Sequence, residues 1–164
     1  MSLSPFESAK DGILTEILRH AEIRLEDQLS AATAADQRAL TFAGLLVASI
    51  AAIVTISTAV PADAAALCLT VSTMLGIAAA AALWSARPTA WSFRGTSPAE
   101  WVSDITNDVS VKKSNAEMAA HYAGAIGRNA AALQSAAKAM RFSMAVTAAS
   151  VAVALAWSWV ALLT

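Results

Sequence analysis

Arg24, Tyr122, Arg128 and Asn129 are the side chains in this sequence best suited to hold a ligand. Guanidinium forks bind phosphate oxygens through paired hydrogen bonds, and an aromatic ring can stack on a base. Tyr122 and Asn129 are seven residues apart, so a helix puts them on one face. Arg24 and Arg128 fall at similar heights on two long helical stretches, with Gln28 and Ala132 a turn further on. Together the four candidates suit a small anionic-ligand site between subunits. The competing reading is a solvated charged face with Tyr122 in a packing seam. No catalytic constellation accompanies them. There is no Gly-rich phosphate loop, no CxxC and no HExxH, and the acidic residues are spread along helices rather than paired. No enzyme chemistry and no catalytic residue is expected. The two histidines, His20 and His121, also fall at similar heights. A metal pair is one reading of them, a solvated or interface histidine the commoner one, and no metal or cofactor is expected.

The elements that must position these residues are helices. The chain has 164 residues, 57% of them apolar and only 14% charged, with a mean hydropathy of +0.57. Soluble domains are nearer a quarter charged. Residues 39–60, 64–86 and 142–164 each form a run of more than twenty without one charge. A helix of twenty-two residues is about 33 Å long, enough for a bilayer core of roughly 30 Å. The expected fold is all-α, with three transmembrane helices. Its segments are a cytoplasmic helix over 1–38, spans over 39–60 and 64–86, a cytoplasmic interfacial segment and long helix over 87–141, and a third span over 142–164. A soluble Ala-rich bundle would need three uncharged helices in an unusually large core for so short a chain. Cys68 lies inside an apolar run and has no partner for an intrachain disulfide. The N-terminus lacks a basic segment followed by an apolar one, so no cleaved signal peptide is expected.

Local signals divide the helices. Ser4-Pro5-Phe6-Glu7 reads as a helix start, with Ser as cap and Pro at the first helical position. A four-three stripe then runs through Leu14, Leu18, Ala21, Leu25, Gln28, Ala32, Ala35 and Ala39. Glu16, Arg19, Glu22, Glu26 and Arg38 lie opposite. Val60-Pro61-Ala62-Asp63 makes a tight turn in which Asp63 can cap the second span, and Arg87-Pro88 ends it. Trp91, Phe93 and Arg94 suit a headgroup layer. Ser97-Pro98-Ala99-Glu100 starts a short helix to about Asp108, with Trp101 and Ile105 on one face. Ser114-Asn115-Ala116-Glu117 is a capping box that opens the second long helix. Its seam reads Ala119, Ala123, Ile126, Ala130, Leu133, Ala137, Met140 and Met144.

Charge predicts orientation. All eleven Lys and Arg lie before residue 39 or between the second and third runs. The positive-inside rule puts both regions in the cytoplasm and the C-terminus outside. The first and third spans are then continuous with long parallel cytoplasmic helices, offset by about 103 residues, forming a stalk of some 35 to 45 Å at ~1.5 Å per residue. Ala-rich seams bury little area, and at about 25 cal/mol per Å² such a stalk is marginal alone, so a homo-oligomer is expected. Acidic residues match basic ones on this side, and no nucleic acid is expected as partner.

The spans hold no ionisable side chain, which argues against proton pumping or ion-pair gating. Gly44, Ala48 and Ala52 form a small-residue face for close helix packing. Ser143, Thr147, Ser150 and Ser158, with Ala154 between, form a polar stripe on the third span. It reads either as a pore lining in an oligomer or as interhelical hydrogen bonding and close packing.

From Ala21-Glu22-Ile23-Arg24-Leu25 through Ala35-Asp36-Gln37-Arg38-Ala39 and into the apolar run, the sequence resembles the Pycsar transmembrane effectors. That bacterial anti-phage family has a cytoplasmic helix ending in an Ala-Asp-x-Lys/Arg-Ala junction. The stretch from Ala119 to Met144, feeding the last span, also fits its pattern. Arg38 stands where many relatives have Lys. The resemblance implies an inner-membrane effector whose partner, a nucleotide cyclase, makes cyclic UMP or cyclic CMP during infection. The effector senses that product and impairs the membrane. Asp36 and Arg38 would be the joint between sensing stalk and membrane bundle. Two readings of other kinds stay open. One is a structural membrane protein whose stalk recruits a cytoplasmic protein. The other is a holin-like lysis protein, which the long cytoplasmic helices disfavour.

Overall fold

A computed structural model of the chain describes residues 5–95 and 97–163. Every regular element among them is helical. α1 spans Asp11–Ser57 and α2 spans Ala62–Ser85. A 3-10 turn at Pro98–Trp101 leads into α3, Val102–Thr106, and α4 spans Val111–Leu163. α1, α2 and α4 are long and apolar enough to cross a membrane. Their most apolar windows are 17%, 33% and 6% buried. A water-soluble bundle would cover such windows, so their exposure favours insertion into lipid over a soluble core.

Several helix ends differ from those read in the sequence. The expected cap Ser4 lies outside the described residues, as does Thr164 at the end of the third run. Pro5 to Ser8 form a turn rather than a first helical turn. It is closed by Ala9 N–H on the Phe6 carbonyl at 3.2 Å and by Ser8 Oγ on the Pro5 carbonyl at 2.9 Å. Phe6 and Ala9 pack onto Leu14, Ala116 and Ala119, and this burial favours folding back over helical extension. α2 follows Pro61, which lacks a side-chain cap; Asp63 lies inside the first turn, where it complements the helix dipole. Ser97 caps the next element as read, its Oγ accepting from Ala99 N–H at 3.3 Å. α3 ends at Thr106. Asp108 adopts φ 51°, and Val109 N–H reaches back to the Asp104 carbonyl at 2.9 Å, the pattern of a Schellman stop. α4 starts one turn before Ser114. Ser110 Oγ accepts from Lys113 N–H at 3.4 Å, while Ser114 is already helical and buried.

The chain forms two compact units: Met1–Thr33 with Thr89–Leu133, and Ala34–Pro88 with Gln134–Thr164. In the first, α1 and α4 run parallel. Lys112 approaches Asp11 at 3.5 Å, Leu14 packs on Ala116, and Leu25 packs on Tyr122 and Ala125. Gln28 Nε2 donates to the Ile126 carbonyl at 3.1 Å. The α1 stripe is buried at Leu14, Leu25, Gln28, Ala32 and Ala39, but Ala35 is exposed and Asp36 half-buried. The packing face thus passes through Asp36 between Ala32 and Ala39, a local departure of the kind a helix of 3.6 residues per turn shows against a 3.5-residue stripe.

On α4 the difference is larger. Ala119 is buried and Ile126, Leu133 and Met140 are half-buried, but Ala123, Ala130, Ala137 and Met144 are exposed. The other half of the packing face is Tyr122, Ala125, Asn129 and Ser143. The polar members of that face, Tyr122, Asn129 and Ser143, each precede an expected seam position by one residue, and each has a hydrogen-bond partner remote in sequence.

In the second unit, Leu46 of α1 and Val71, Leu75, Ala78 and Ala79 of α2 form the core. Phe42, Ile50, Ile53, Leu67, Val146 and Ala154 pack around them. Gly44, Ala48 and Ala52 are exposed, so the small-residue face of α1 is not the one it uses inside this unit. Larger apolar residues bury more area per contact and take that role.

Candidate functional site

Tyr122, Arg128 and Asn129 converge on one short stretch of chain, Ser92 to Gly95. Asn129 is 1% exposed. Its Oδ1 accepts the Ser92 N–H at 3.1 Å, and its Nδ2 donates to the Ser92 carbonyl at 2.9 Å. The amide thus pairs with one residue's backbone as a neighbouring strand would. Arg128 is exposed, and its Nη2 donates to Ser92 Oγ at 3.3 Å. Tyr122 is fully buried. Its hydroxyl accepts the Gly95 N–H at 2.8 Å and donates to Glu22 Oε1 at 3.4 Å. Arg94 completes the attachment with Glu26 at 2.8 Å on α1. Gly95 has φ +80°, a conformation glycine adopts without the steric cost a side chain imposes.

Burial raises the Tyr122 pKa above its ordinary value, and the nearby Glu22 carboxylate pushes the same way, while the Gly95 hydrogen bond opposes them. The neutral phenol is therefore the form this network holds. Gln28 is buried too. One end donates to Ile126, and its Oε1 has no protein partner among the described residues.

Of the four ligand candidates, three share this network. Arg24 is exposed on α1 and takes no part in it. Periodicity had already placed Tyr122 and Asn129 on one face. It gave no sign of Ser92, Gly95 or Glu22, whose roles depend on an irregular segment. The one local hint was Gly95 at the end of the aromatic and Arg-rich stretch. Trp91, Phe93 and Arg94 belong to that segment, and the hydrogen bonds tie it to residues 122–129, thirteen or more positions before the third apolar run.

A separate cavity of about 240 Å³ in the same unit is lined by Glu100, Trp101, Asp104, Glu117, Met118 and His121, among others. Its three carboxylates disfavour an anionic occupant. His121 also lies against the Tyr122 ring, with centroids 6.3 Å apart. His20 sits beside Glu16 at 3.7 Å. Among the described residues no three His, Cys, Asp or Glu side chains group as metal ligands.

The remaining candidates lie in the second unit. Asp36 is half-buried and Arg38 exposed. Two positions apart on a helix, they project to different sides of α1. Ser143 is fully buried and its Oγ donates to the Ala78 carbonyl of α2 at 2.6 Å. Ser150 is also fully buried and bonds the Thr147 carbonyl at 2.8 Å; Thr147 Oγ1 bonds the Ser143 carbonyl at 2.9 Å. Ser158 is exposed and bonds the Ala154 carbonyl at 2.9 Å. Within one chain, Ser143 and Ser150 serve helix packing, and only Ser158 of the stripe faces outward.

No family model matches the chain, and no curated protein or solved structure shows significant similarity to it.

Proposed function

We propose that this chain is a membrane effector of anti-phage defence. It senses a cyclic pyrimidine mononucleotide, cyclic UMP or cyclic CMP, and impairs the bacterial inner membrane as a homo-oligomer. A nucleotide cyclase supplies the signal. The N-terminus and residues 87–141 are cytoplasmic and the C-terminus is outside. The observation that carries the reading is the convergence of Tyr122, Arg128 and Asn129 on Ser92 and Gly95. All but the Arg128 contact use backbone groups of the segment, so a ligand offering a phosphate and a base edge can take their place. Release of the segment then alters the packing of α1 and α4, both of which run on into apolar stretches. Asp36 and Arg38 lie where α1 makes that change.

Titration calorimetry of the detergent-solubilised chain with cyclic UMP, cyclic CMP and cyclic AMP tests the sensing step. A pyrimidine ligand should bind, and Arg128→Gln should weaken it about tenfold or more, the effect of one charge-assisted contact. Absence of binding to all three removes the sensing step.

A second reading has its own observation. Phe93, Val102, Ile105 and Val111 in the first unit are 58–77% exposed. Such residues suit contact with a protein, as in a scaffold whose stalk recruits a partner. That reading predicts no nucleotide binding and capture of one specific protein through these side chains.

A further inference from the structure

A shallow groove of about 460 Å³ runs along one face of α1, lined by Ala34, Gln37, Arg38, Thr41, Phe42 and Leu45. Its two ends differ in chemistry. Gln37 and Arg38 offer amide and guanidinium donors, and Arg38 is the last charged residue before Asp63. Phe42 and Leu45 offer apolar surface, and Leu45 is 63% exposed. Thr41 lies between, its hydroxyl turned back to the Gln37 carbonyl at 2.9 Å. Arg38 to Leu45 is about 10 Å of helix, and a headgroup layer is roughly 5 to 8 Å deep on each side of the bilayer. A phosphate held at Arg38 therefore has its acyl chains beside Phe42 and Leu45. Among the described residues no carboxylate pairs with Arg38, which leaves its fork for an outside anion.

We propose that this groove binds one anionic glycerophospholipid, headgroup phosphate on Arg38 and acyl chain along Phe42 and Leu45. A free phosphate ion would use only the polar end, whereas a lipid fills both. The proposal needs α1 to enter a bilayer and is independent of nucleotide sensing.

Native mass spectrometry of the full chain, released from detergent with added phosphatidylglycerol or phosphatidylcholine, tests it. The unaltered chain should retain phosphatidylglycerol in preference to phosphatidylcholine. R38Q should lower that retention roughly tenfold, as for loss of one charge-assisted contact, and R38K should restore most of it. K138Q, at the matching end of the α4 apolar run, should leave it unchanged. Circular dichroism of each variant without lipid checks that the helices are intact. Equal retention of the two lipids, an unaffected R38Q, an equal loss in K138Q, or competition by glycerol phosphate without acyl chains would each overturn the site.

Discussion

Tyr122 and Asn129 show how a residue can read as a ligand contact and also serve as a structural clamp. Each is buried, and each holds the Ser92–Gly95 backbone, with the Tyr122 hydroxyl also donating to Glu22. Tyr122→Phe removes the acceptor of the Gly95 N–H, and the expected cost is about 1 to 2 kcal/mol, read by urea unfolding of the helical signal. The same variant carries a pH signature. The Tyr122 pKa is raised in the folded chain, so its contribution is complete below the ordinary tyrosine range near 10 and is lost as pH rises above it. Stability of the unaltered chain should fall above about pH 10. Tyr122→Phe should lose that part of the fall, and an identical alkaline slope in both would contradict the burial argument. Neither role was separable from the sequence. The seven-residue spacing showed the shared face, but the partners lie 27 and 37 positions away in a segment without periodicity.

At the scale of elements, charge and hydropathy carried further than capping signals did. The three uncharged runs fall on α1, α2 and α4, as expected of segments that enter lipid, where a single span can satisfy its backbone only as a helix. The N-terminal turn and the early start of α4 were not legible, since both accompany packing of Phe6 and Ala116 around Leu14 and Ala119, residues distant in sequence. The α4 seam was displaced by one position for a related reason: an apolar search passes over Asn129 and Ser143, whose burial depends on Ser92 and on the Ala78 carbonyl. The stop after α3 offers a clean test. Asp108 holds φ 51°, where a side chain costs about 1 kcal/mol relative to glycine. Asp108→Gly should raise the midpoint of thermal unfolding, and Asp108→Val should lower it.

For the whole molecule, the charge distribution makes a topological prediction. With Cys68 replaced by Ser, a cysteine at Ala62 should react with an impermeant maleimide added outside intact bacteria. A cysteine at Ser103 should react only after the membrane is opened. The reverse pattern would invert the orientation, and labelling of both in intact cells would remove the membrane assignment of α2.

The proposed sensing and the proposed membrane damage can be read in one preparation, by dye release from liposomes. Purified chain is reconstituted in phosphatidylglycerol-containing liposomes loaded with a self-quenching dye, and nucleotide is added. Release is expected on addition of cyclic UMP or cyclic CMP, none with cyclic AMP, and a weakened response in Arg128→Gln. Intact liposomes with every nucleotide, or release that ignores nucleotide altogether, would contradict the proposed function.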